Sequence, residues 1–215
     1  MNRALGWLAV IGLVAGLVMG FGVAPREAAQ GNVQRIMYLH VPSVLVAYLA
    51  FGVVLLASIA YLTTRREDAD RIGHASAEVG VVFTAVTIIS GAIWGKPTWG
   101  TWWTWDARLT SVAILFVMYL GYLLVRGMID DRERAARYSA VVGIVAALDV
   151  PLVHFSVYWW RTLHQPPTML KPGPSTMPGI FAGTLLVNLA AFTLVYVYLV
   201  AKRTRLLRRE QEAMA

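Results

Sequence analysis

Histidine, tryptophan and arginine carry most of the chemistry open to this chain. Cysteine is absent, which excludes disulfides, thiolate metal sites, iron–sulfur clusters and covalent attachment of a tetrapyrrole through Cys-x-x-Cys-His. Any metal must rest on His, Met or carboxylate. Of the four histidines, His40 stands two residues before Pro42 and His154 six residues before Trp160. Between them, Trp99-Gly100-Thr101-Trp102-Trp103-Thr104-Trp105-Asp106 packs four indoles into seven positions. On a helix, Trp99, Trp102 and Trp103 would share one face at i, i+3 and i+4, and Trp105 would point elsewhere. Lys96-Pro97 and Gly100 suggest a short interfacial helix or an irregular platform rather than a further span. Such a surface serves either a flat hydrophobic ligand or attachment to lipid.

The elements that must position these residues are membrane spans. The 215 residues are 58% hydrophobic and 14% charged, against roughly 45–50% and 25% in an average soluble domain. Six apolar segments are read: Leu5 to Ala24, Ser43 to Leu62, Val79 to Trp94, Thr110 to Val125, Tyr138 to Trp160 and Gly179 to Ala201. Each is long enough, with its flanks, to cross a bilayer, and lipid offers the backbone no hydrogen-bond partner, so helices are the expected form. The fold class is therefore all-α, a polytopic six-span membrane protein in one domain over 1–215, with an outer Trp-rich loop at 95–109 and a basic tail at 202–215. The first segment follows Arg3 and ends at Gly22-Val23-Ala24, but its length argues for a span rather than a cleaved signal.

Charge sets the expected orientation. Six basic residues, Arg26, Arg35, Lys96, Arg108, Arg161 and Lys171, fall in the alternate loops, and the other thirteen of the 19 lie with the termini. Cytoplasmic termini follow from this bias. It also explains the net charge of +7 without nucleic acid, since the tail can rest on anionic lipid. Seven of the eight tryptophans then gather toward the outer surface, with Trp7 the exception.

In this topology His40 marks the outer entrance of the second span, with Val41 pushed toward extended backbone by Pro42. His154 lies about 9 Å below the outer end of the fifth span, at 1.5 Å per residue. Either imidazole alone could be an interhelical hydrogen-bond partner. Two at similar depth beside indoles could ligate an iron from opposite faces of a porphyrin, with Arg35 and Arg108 placed to meet its propionates. Arg108 could equally pair with Asp106. His164, in Leu163-His164-Gln165 before Pro166 and Pro167, reads as a loop or contact residue, and His74 as an ordinary interfacial side chain. Asp149, inside the fifth span near Pro151, is an intramembrane carboxylate of open role.

The stretch from Trp94 to Ser111, with its core Trp99-Gly100-Thr101-Trp102-Trp103-Thr104-Trp105-Asp106, resembles the Trp-rich signature of haem-handling proteins, specifically the heme exporter protein C (CcmC) family of cytochrome c maturation. Arg35 to Pro42, and His154 to Trp160 with Leu163-His164-Gln165, resemble that family's two histidine regions. The resemblance implies non-covalent, b-type haem at the outer face, His40 and His154 as axial metal ligands, and Trp99, Gly100, Trp102, Trp103, Trp105 and Asp106 as the haem platform, supported by Arg35 and Arg108. It further implies the bacterial inner membrane, and delivery of haem to the periplasmic chaperone CcmE in a complex with CcmD and the ABC transporter subunits CcmA and CcmB. No Walker motif, nucleophile elbow or zinc-protease helix is present, so an assembly factor is expected rather than an enzyme. The competing readings are a b-type haem electron carrier and, resting on Asp149, a proton-coupled small-solute transporter.

Overall fold

Every apolar run expected to cross a membrane is largely helical in the computed structural model, which describes residues 3–166, 173–174 and 177–214. Pro167 and Lys171 lie outside these. The helices are α1 (Arg3–Leu17, continued by a π turn, Val18–Val23), α2 (Met37–Thr64), α3 (Glu67–Trp99), α4 (Ala107–Met128), α5 (Arg132–Ala147), α6 (Asp149–Trp159) and α7 (Gly179–Met214). No strand occurs among the described residues. Counting α1 with its π turn, and α5 with α6, six units are long and apolar enough to span a bilayer.

Helices begin before their apolar runs in every span but the last, by the most at α3. α3 starts at Glu67 rather than Val79, because Glu67, Asp68 and Asp70 in its first turn oppose the positive end of the helix dipole. α2 starts at Met37, led in by a 3₁₀ turn at Val33–Ile36. Val41 is therefore helical, not extended. Pro42 costs only the bond its missing N–H would have made to the Tyr38 carbonyl, one turn from the helix start. The fifth span is broken at Leu148. There Pro151 deprives the Ala147 carbonyl of its donor, and Leu148 N–H turns instead to the Val145 carbonyl at 3.1 Å.

α2 sits at the centre, packed against α3, α5 and α7, while α1 lies along α7. The α2–α3 hairpin packs closely through small residues, with Phe51 stacked on Tyr119 at 3.6 Å between ring centres. A Cβ on Gly80 would come within 2.6 Å of the Phe51 ring, which Tyr119 backs. Gly80→Ala is accordingly expected to cost about 1–3 kcal/mol of stability, typical of an overpacked core, read as a lower thermal midpoint in detergent. The buried Ser76 hydroxyl lies 2.8 Å from both the Ala50 carbonyl and the Tyr196 hydroxyl.

The start of α1 and the end of α7 lie at the end opposite the Trp-rich loop, since α1 and α7 run antiparallel through the Gly6–Tyr198, Gly12–Ala191 and Gly16–Asn188 contacts. The tail is not a free segment there: its residues 202–214 are the last turns of α7. Arg203 bonds Glu78 at 2.5 and 2.9 Å, and Arg208 bonds Asp68 at 2.6 Å. Arg126 pairs with Asp70 alongside.

Candidate functional site

At the Trp-rich end, His40 on the first turn of α2 faces Ser90 on α3, with Nδ1 3.1 Å from the Ser90 Oγ. That hydroxyl has one proton, and it is directed at the Val86 carbonyl at 2.6 Å. Ser90 can therefore only accept from the ring, so Nδ1 carries hydrogen, and in the neutral ring Nε2 keeps a free lone pair. Gly91 makes room for this ring: a Cβ there would meet His40 Cε1 at 2.9 Å.

His164 arrives from the loop after α6. Its Nδ1 lies 2.8 Å from the Gln165 carbonyl, which only accepts, so Nε2 is again the nitrogen left free. Burial, and then the neighbouring Arg108 charge, push the His164 pKa down to about 4. The ring is neutral at physiological pH, as a metal ligand must be.

The two ring centres stand 6.5 Å apart, with planes inclined by 33°. Metal–imidazole bonds of about 2.0–2.1 Å, with each nitrogen about 1.2 Å from its ring centre, put two imidazoles in line on one ion roughly 6.4 Å apart. The spacing matches one shared ion. Trp94 meets His40 edge-on at 5.8 Å, and Trp99 lies 6.1 Å from His164. Both indoles, with Trp103 and Arg108, line the cavity the imidazoles share. The Trp103 Nε1 is buried without a protein partner. Arg108 reaches only the Val153 carbonyl, at 3.5 Å, and forms no ion pair with Asp106 among the described residues. Guanidinium and indole N–H are both pure donors. The cavity thus suits a six-coordinate metal carried by a flat apolar ring that bears acidic groups.

The family described as heme exporter protein C matches the chain over residues 1–215. The chain belongs to the heme exporter protein C family. Among its relatives, the heme exporter protein C of Bradyrhizobium diazoefficiens is 43% identical over 99% of this chain and 82% of its own length. That of Haemophilus influenzae is 35% identical over 96% and 84%, and that of Escherichia coli K12 is 39% identical over 77% and 69%.

In this member of the heme exporter C family, the residues singled out in the sequence fall into distinct positions. The ring brought against His40 is that of His164, not His154. His154 lines the same cavity but packs on Tyr48 at 6.4 Å and Phe155 at 4.9 Å. Tyr48 is eight residues beyond His40 on α2, about 12 Å along the axis. His154 thus meets the deeper residue Tyr48, while the ring across from His40 comes from the loop after α6.

The Trp-rich segment takes the irregular form. α3 ends at Trp99, Gly100 caps it at φ +80° with its N–H on the Lys96 carbonyl, and the Lys96 ammonium returns to the Gly100 carbonyl at 3.0 Å. A left-handed conformation of this kind favours glycine. Without a helix beyond Trp99, the indoles divide: Trp94, Trp99 and Trp103 line the cavity, whereas Trp102 and Trp105 are 57% and 79% exposed. Arg35 is committed elsewhere, donating to the Phe21 and Ala24 carbonyls at 2.7 and 2.8 Å. Asp149 is buried with Oδ2 unpartnered. His74 lies far from the site, 3.2 Å from Glu78.

Proposed function

We propose that this chain binds haem non-covalently at the Trp-rich end, with His40 and His164 as axial ligands, and passes it on during cytochrome c maturation. The observation that carries this reading is the pair of imidazoles, each with Nδ1 at a hydrogen-bond partner and Nε2 free of one, 6.5 Å apart in one cavity. Trp94, Trp99 and Trp103 flank the porphyrin, and Arg108 with Trp103 Nε1 receives its propionates. His154, expected from the sequence as the second ligand, serves as a wall residue of the same cavity.

Haem is cargo here rather than a resident cofactor. Histidine ligation leaves it exchangeable, and the chain has no cysteine to fix it covalently. The site belongs at the periplasmic face of a bacterial inner membrane, as the basic bias toward the opposite end supports. The receiver is a CcmE-like periplasmic chaperone, and the assembly includes CcmD, CcmA and CcmB. The chain's part is binding and delivery, with no catalytic step.

The testing experiment is the absorption spectrum of detergent-purified protein loaded with haem, before and after dithionite. A low-spin spectrum in both states, with ferrous protein slow to bind carbon monoxide, is expected. A five-coordinate spectrum, or no stoichiometric binding, overturns the reading. Ser90→Ala removes the acceptor that fixes the His40 tautomer, and is expected to weaken haem retention by roughly 10–100-fold at unchanged protein yield, as for other losses of a hydrogen bond supporting a ligand. Haem transfer to apomyoglobin measures it.

A further inference from the structure

Asp106 was grouped with the haem platform by its place in the Trp-rich motif, yet both of its oxygens are committed to protein donors. Oδ1 accepts the Leu109 N–H at 2.9 Å and so caps the N-terminus of α4. Oδ2 accepts the Leu163 N–H at 3.0 Å, across 57 residues of chain, with the Thr104 hydroxyl at 3.5 Å. Leu163 immediately precedes His164.

In hydrogen bonds among the described residues, each of the two loops is otherwise tied to itself or its own helix. In the Trp-rich loop, the Thr101 hydroxyl donates to the Trp103 carbonyl at 3.0 Å and Lys96 closes on Gly100. In the loop after α6, the Thr162 hydroxyl donates to the His164 carbonyl at 3.1 Å, and the Trp160 N–H bonds the Ser156 carbonyl at 3.0 Å. Among the described residues, no hydrogen bond other than that from Leu163 to Asp106 joins them. A ligand on irregular backbone has no helix to fix its direction. The rigid neighbour of Leu163 is the capped end of α4, and Asp106 is the side chain that links the two.

We infer that Asp106 is a positioning residue: its carboxylate fastens the His164 loop to the N-terminus of α4, and so holds the His164 imidazole opposite His40. The inference rests on the assignment of His164 as an axial ligand. It gives the two ligands different standing. His40 is built into a 28-residue helix, whereas the loop that carries His164 is tied to α4 through one charge-assisted backbone hydrogen bond, so His164 is the ligand that yields when haem leaves.

The test separates the tie from the cap. Asp106→Ser keeps a good N-cap residue but has no second oxygen to reach Leu163. Asp106→Asn keeps one carbonyl oxygen for Leu109 and offers Leu163 an amide that cannot accept. Both variants are purified, loaded with haem and compared with wild type, His164→Ala, and the double variant Asp106→Ser with His164→Ala.

Both Asp106 variants are expected to shift ferric haem from low spin toward five-coordinate high spin, and to lose haem to apomyoglobin roughly 10–100-fold faster. Added imidazole is expected to restore the low-spin spectrum in each, as in His164→Ala, and the double variant should match His164→Ala alone. If His164→Ala changes the spectrum while both Asp106 variants keep the wild-type spectrum and release rate, the positioning role is overturned. A double variant that releases haem faster than His164→Ala overturns it too, by showing that Asp106 contacts haem directly. An unchanged spectrum in His164→Ala defeats the ligand assignment itself.

Discussion

Removing His164 is expected to convert the low-spin haem complex to a five-coordinate, high-spin one, and removing His40 to abolish most haem retention, while His154→Ala leaves the spin state unchanged. Loss of an iron–nitrogen bond costs more than the roughly 10–100-fold attached to losing a hydrogen bond that supports one. The asymmetry follows from the two settings. His40 is packed between Ser90, Gly91 and Trp94 on helices, so His40→Ala removes the ligand whose orientation the fold fixes most firmly. His164 sits on a loop, and exogenous imidazole can occupy the gap left by its ring. His154 contacts Tyr48 and Phe155 and has no ring contact with His40. Haem content per protein and the ferric spectrum of the three variants decide the matter. A spin change in His154→Ala with none in His164→Ala would return the second ligand to the position suggested by depth along the fifth span.

That contrast shows how far the residues alone could be read. The six spans were legible because a bilayer imposes a length and an apolar character that few other environments require. His40, Arg108 and the Trp-rich segment were legible as a group because they cluster at ends of spans that topology brings together. The choice between His154 and His164 was not. It depended on how the loop after α6 folds back, which places His164 6.5 Å from His40.

A ligand on a loop leaves no periodic trace either. His164 follows Trp160 in a segment whose direction is set by Leu163 N–H meeting Asp106, a pairing across 57 residues that no local pattern announces. Arg35 is placed differently from what its sequence position suggests, for a related reason. Proximity in sequence to His40 suggested a shared ligand, whereas the guanidinium instead holds the chain leaving α1 through two backbone carbonyls. Arginine can do either, and the unsatisfied carbonyls near the end of a helix attract it strongly.

The division of the indoles gives the second large effect. Trp99→Ala combined with Trp103→Ala is expected to lower haem retention by roughly 10–100-fold, whereas Trp102→Ala combined with Trp105→Ala should leave retention within about twofold of wild type. An aromatic side chain can bury about 150–250 Å². If each cavity-facing ring covers about 50 Å² of porphyrin, at about 25 cal/mol per Å² it contributes a little over 1 kcal/mol, and two rings together give the stated range. Trp103 adds the buried Nε1–H that has no protein acceptor, so its loss also removes a donor for a propionate. Trp102 and Trp105 are too exposed to contribute in the same way; their loss acts on attachment to headgroups or to an incoming acceptor, read as a slower transfer at normal haem content. Equal loss of haem from both pairs would mean that the segment closes over its ligand as a continuous surface, with Trp102 turning inward on binding.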